Sequence, residues 1–173
     1  LLHSIDVIYV GEFEHLKEKE VTAMFQDGAI YVSNSQDNDL DFIDDLVHEI
    51  AHSNEKGYAH LIYEDDKLEH EFKLKRAGLY RGLKDLDIFS VPLNLVSEIN
   101  YNQEIDDFFY NTVTYPIMAQ VTVNLFISPY AATSIREYFA KGFEEFYFGD
   151  KQKLKDLCPT LYNKMVSIDA AEE

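Results

Sequence analysis

The residues with the clearest chemical content are His48-Glu49-Ile50-Ala51-His52, an instance of the pattern H-E-x-x-H. Two imidazoles four residues apart on a helix project from the same face, so His48 and His52 can grip one ion together. Glu49 lies about 100° further round the helix than His48, by the 3.6-residue repeat, and stands beside such an ion rather than on it. That place suits a general base, which must reach a metal-bound water without occupying a coordination position. The chemistry implied is metal-assisted hydrolysis with one zinc ion, Glu49 activating the water. The rival reading is a chance motif, two histidines on the solvated helix of a structural domain.

The motif needs a helix with one apolar side. Phe42, Ile43, Leu46, Val47 and Ile50 cluster on one arc, while Asp45, His48 and His52 lie opposite. Ahead of this helix, which starts near Asp39, three strands are expected: Ile5 to Val10, Val21 to Phe25 and Ala29 to Val32. The last two are joined by the hairpin signal Asp27-Gly28. Beyond it, helices are expected over Asp66 to Leu83, Gln103 to Asn111, a stretch after Pro116, Ser134 to Tyr147, and a short one near Leu154 to Met165. Ile88 to Asn94 is expected to be a loop around Pro92. A small mixed sheet followed by helices makes an α+β fold, read as one domain over residues 1–173.

A catalytic zinc takes three protein ligands and keeps one position open. The extended pattern H-E-x-x-H-x-x-G-x-x-H is not met, because Glu55 holds the glycine position and Tyr58 the histidine position; His60 comes two residues late. A glutamate on a later helix is the better third ligand, and Glu98, Glu104 and Glu137 all lie downstream. Glu137 also fits a capping box with Ser134, in which its side chain would serve the helix start instead of a metal.

The stretch Ser128 to Ala140, with Tyr130 seven residues before Glu137-Tyr138-Phe139-Ala140, resembles the anthrax lethal factor type of peptidase domain, a group that includes the Pro-Pro endopeptidases. The H-E-x-x-H helix belongs to the same resemblance, as do Glu71 to Arg76 with Leu79-Tyr80 on the following helix; together it spans about Val21 to Phe146. The resemblance implies a zincin-like metallopeptidase in which Glu137 completes the zinc site with His48 and His52, and Tyr130 donates a hydrogen bond to the oxyanion. One departure stands out. The family usually carries an acidic residue four positions after the ligand glutamate, and here that position is Lys141. Asp45 or Glu144 would then have to orient the histidines. Lys141 also motivates an alternative: a zinc-binding module of peptidase descent that does not cut.

Composition narrows the partners. Asp and Glu total 32 against 15 Lys and Arg, a net charge of −17, which repels nucleic acid and makes basic peptide or protein substrates the expected ones. Phe139, Phe143 and Phe146 recur at helical spacing and belong to the core. The acidic cluster Asp37 to Asp45 lacks the alternation and glycine of a calcium loop, and Cys158 has no evident base partner. The most apolar run, Pro116 to Ala132, is interrupted by polar residues, so no membrane partner is expected. The start at Leu1-Leu2-His3 suggests that the true beginning is missing, and leaves secreted and intracellular settings both open.

Overall fold

The computed structural model describes residues 1–87 and 90–172. The fold is α+β, with a three-stranded mixed sheet preceding a helical layer. Strand β1 (Val7–Gly11) runs parallel to β3 (Ala29–Ser33), and β3 pairs antiparallel with β2 (Ala23–Gln26). The expected strands are present, shifted by up to two residues at their ends. Asp27 and Gly28 turn β2 into β3 with φ of 50° and 83°, the left-handed pair that a tight hairpin demands. A short helix α1 (Glu14–Glu18) between β1 and β2 was not foreseen, since five residues carry too little periodicity to register.

The metal-motif helix α2 (Asp39–Ile62) begins at Asn38, whose side-chain oxygen accepts from the backbone N–H groups of Leu40 and Asp41. Phe42, Leu46 and Ile50 pack on Ala23, Ile30 and Val32 of the sheet. A second apolar stripe passes from Leu40 (71% exposed) and Ile43 (40% exposed) to Val47 (4%) and Ala51 (0%), so it enters the helical core only at Val47. Ile43 is therefore not the inner residue that its periodicity suggests.

In α3 (Lys67–Asp85) the expected inner residues Leu68, Phe72, Leu79 and Leu83 are all fully buried. Ile88 and Phe89, the start of the expected loop, lie outside the described residues; the rest of it contains a single 3₁₀ turn at Leu93–Leu95. The helix expected over Gln103 to Asn111 divides into α4 (Gln103–Asp107) and a π-helical turn (Phe108–Val113). Helix α5 (Tyr115–Val121) has Pro116 in its first turn, where a missing N–H costs nothing. Then follow α6 (Ile135–Tyr147), with Phe139, Phe143 and Phe146 buried, α7 (Lys151–Leu157) and α8 (Pro159–Glu172). A single terminal helix was expected where α7 and α8 stand; Pro159 cannot donate to the preceding turn, and the chain breaks at Cys158. Among the described residues no helix is long and apolar enough to cross a membrane.

The polar residues of α3 join the later elements to one another. Glu71 accepts from the backbone N–H groups of Thr160 (2.8 Å) and Leu161 (3.1 Å), capping α8 from outside, and from the hydroxyl of Tyr138 on α6 (2.8 Å). Lys75 donates to the carbonyls of Leu125 and of Leu157, at the end of α7. Arg76 is fully buried; it donates to the carbonyls of Leu95 (2.6 Å) and Thr133 (2.8 Å) and lies over the Phe72 ring. The stretch from Glu71 to Arg76 thus has a structural task in this chain, fixing the segment that leads into α6. Helix α8 approaches α6 closely at Gly142, where a Cβ would stand 2.4 Å from Leu161 Cδ2.

Candidate metal centre

Helices α2 and α6 pack against each other and bring together His48, His52 and Glu137. His48 Nε2 and His52 Nε2 are 3.1 Å apart, Glu137 Oε2 is 2.9 Å from His48 Nε2, and Glu137 Oε1 is 3.6 Å from His52 Nε2. Ligands held at about 2.05 Å in a tetrahedron are about 3.3 Å apart, so these spacings suit zinc-sized coordination. The buried Oε2 of Glu137 faces only the His48 Nε2 and has no other donor, so with neutral imidazoles it is left unsatisfied unless a cation completes it. The donor set fits a metal.

The capping rivalry at Glu137 resolves between its backbone and its side chain. Ser134 Oγ accepts from the Glu137 N–H at 3.2 Å, so the cap exists, while the Glu137 carboxylate points to the histidines. The amide starts the helix; the side chain serves the site.

Each histidine is oriented from behind by a carboxylate. His48 Nδ1 lies 2.6 Å from Glu144 Oε1, and His52 Nδ1 lies 3.0 Å from Glu55 Oε2. An ionised carboxylate can only accept, so both rings carry a proton on Nδ1 and turn Nε2 toward Glu137. Lys141 donates to Glu144 Oε2 at 2.8 Å and so steadies the carboxylate that serves His48. Asp45, the other candidate for that task, instead accepts from Gln36. Glu55 is held by Tyr63 OH (2.6 Å) and by Arg136 through Nε (2.8 Å) and Nη2 (2.6 Å). Sequence reasoning missed Glu55 and Arg136. The three-residue spacing from His52 to Glu55 was a usable signal, but position 55 was weighed only as the glycine of a longer motif.

The electrostatics follow from this crowding. Burial alone would push the His52 ring down, but Glu137 and Glu55 outweigh it and hold it up to about 9. His48 is raised against the same burial penalty by Glu137 and Glu144. Burial also opposes ionisation of Glu137, yet the two imidazoles hold it well below the usual carboxylate range. Without a metal the cluster therefore holds protons in the metal's place.

Glu49 is buried beside the cluster, and its Oε2 accepts from the Phe25 N–H of β2 at 2.6 Å. Burial raises its carboxyl above the usual range. Tyr130 sits on a 3₁₀ turn (Tyr130–Ala132) with its ring centroid 6.0 Å from that of His48. It is 49% exposed, and burial of its hydroxyl together with the Glu137 charge keeps it protonated.

The other proposed ligands do not join. Because α2 continues to Ile62, Tyr58 stays on the helix and its hydroxyl bonds Glu172. His60, Glu98 and Glu104 are not part of the group that converges, and Glu98 accepts from the Asn100 N–H. Comparisons with protein-family models, with characterised proteins and with solved structures gave no match to this chain.

Proposed function

We propose that this chain is a zinc-dependent endopeptidase with a zincin-like domain of the anthrax lethal factor type. The observation that carries the proposal is the convergence of His48, His52 and Glu137 from two helices, with both rings locked from behind and a buried glutamate alongside. A bound zinc would supply Lewis acidity, making water nucleophilic near neutral pH and drawing electron density from a carbonyl oxygen. Glu49 takes a proton from the attacking water and returns it to the departing amine; its burial raises its basicity for that exchange. The protonated Tyr130 hydroxyl donates to the carbonyl oxygen as charge develops there.

A peptide is favoured over a small substrate by β2. It is an edge strand whose Phe25 N–H turns away from β3 toward Glu49, so its open side borders the cluster. An extended peptide pairing along that side would carry its carbonyls past Glu49. The alternative of a zinc module that does not cut draws on Lys141, but Lys141 here supports Glu144, the carboxylate behind His48. That feature no longer argues for it.

The test is metal analysis of the purified protein together with digestion of an unbiased peptide library. Wild type is expected to hold one zinc and cut; Glu49→Gln is expected to keep the zinc and lose about 10²–10⁴-fold in turnover. Cleavage that persists in Glu49→Gln would remove the mechanism.

A further inference from the structure

Beside His52 lies a cavity of about 590 Å³ that sets two cations against two carboxylates in a chain with a large acidic excess. Its apolar lining includes Phe25, Ile99 and Ile135, and Lys56 and Arg136 also face it. The carboxylates there are already committed. Glu55 accepts through both oxygens from Tyr63, His52 and Arg136, and Glu69 pairs with Lys73 at 2.5 Å. The cations keep open donors. Among the described residues Lys56 has no ion-pair partner, and Arg136, fixed by Glu55 through Nε and Nη2, leaves Nη1 without a hydrogen bond. Fixing one edge of the guanidinium presents the remaining N–H groups in a set direction, at little further entropic cost when an anion arrives.

We propose that this cavity selects a carboxylate in the substrate, held by Arg136 and Lys56 next to the bond to be cut. The proposal rests on the peptidase reading for its location relative to that bond, but not for the binding itself. It runs opposite to the expectation from net charge. A field of −17 draws basic peptides to the surface at long range, and salt screens that field over about a Debye length. Selection is made at contact, where the groups without partners are donors. The apolar lining takes the methylenes of a glutamate-like side chain while the head meets the cations. A side-chain carboxylate and the free C-terminus of a peptide offer the same chemistry, and the experiment separates them.

Zinc-loaded Glu49→Gln protein is titrated calorimetrically with N-acetylated, C-amidated hexapeptides. They carry Glu, Gln or Lys at one position scanned along an alanine background, beside a matched set with a free C-terminus. At one position Glu is expected to bind about threefold to tenfold tighter than Gln, with Lys weakest. A free C-terminus substituting for Glu marks the pocket as a terminus reader; no such gain marks it as a side-chain pocket. Lys56→Glu is expected to abolish or invert the Glu preference. Lys67→Glu, an equal charge change at an exposed lysine outside the cavity lining, is expected to preserve it. Equal binding of Glu, Gln and Lys peptides overturns the proposal, as does a Glu preference that survives Lys56→Glu. Failure of wild type to cut any peptide while the preference remains would instead refute the peptidase reading alone.

Discussion

Zinc uptake should be tied to proton release, and the cluster gives the size of the effect. In the metal-free protein His52 is held up to about 9 against an ordinary 6.5, so near neutral pH most of it carries a second ring proton. Zinc needs the Nε2 lone pair, so binding must expel about one proton from His52, with His48 contributing in the same direction. Calorimetry of zinc binding in buffers of different ionisation enthalpy reads the number directly, and the apparent affinity should rise about tenfold per pH unit up to about pH 9. The metal-free protein should show the opposite trend. A folded-state pKa raised above the unfolded one stabilises fully below 6.5 and stops stabilising as pH rises through about 9. A shift of this size corresponds to about 3 kcal/mol at a largely buried ring, so the denaturation midpoint of metal-free protein should fall across that window while that of zinc-loaded protein stays level, the gain in zinc affinity offsetting the loss. Zinc binding with no proton release near neutral pH would show that the carboxylates do not charge the imidazoles, and the electrostatic account of the site would fail.

Three further outcomes follow from the packing. Glu144→Gln should weaken zinc binding about 10–100-fold in a chelator competition, and Lys141→Met less, because Lys141 acts on His48 only through Glu144. Arg76→Met should cost about 2–4 kcal/mol in urea denaturation by leaving the buried-arginine contacts of the Leu95 and Thr133 carbonyls unmade, with Arg76→Lys recovering part of the loss. Gly142→Ala should destabilise by about 1–3 kcal/mol despite alanine's better helix propensity, since the new methyl collides with three carbons of the buried Leu161 side chain.

Legibility in the sequence divides by the range of the interaction. His48, Glu49 and His52 are close along one helix, and helical spacing alone put both imidazoles on one side. Glu137 was one of several glutamates until its spacing from Tyr130 distinguished it, because nothing local says which carboxylate a distant helix will deliver. Glu144 reaches His48 across 96 positions of chain and had no more claim than Asp45. Glu55 and Arg136 escaped notice for other reasons: Glu55 was judged only by the glycine position it fails to fill, and Arg136 was given no role at all. Strand order was legible at the β2–β3 hairpin, where Asp-Gly dictates the turn, whereas the parallel pairing of β1 leaves no comparable local mark. Helix ends were clear where a side-chain cap marks them, as at Asn38. They were misjudged at Cys158-Pro159, where the hydrophobic period runs on through the break.

The carboxylate of Glu71 bears on how the chain can be shortened. It meets the first turn of α8 and the ring of Tyr138, one residue along from Glu137. A version trimmed at Pro159 would strip that carboxylate of two of its three donors, and the disturbance would arrive at Tyr138 within the turn that presents Glu137. The last helix is thus a poor place to economise: a minimal folded unit must retain it, though its residues stand apart from the cluster of His48, His52 and Glu137.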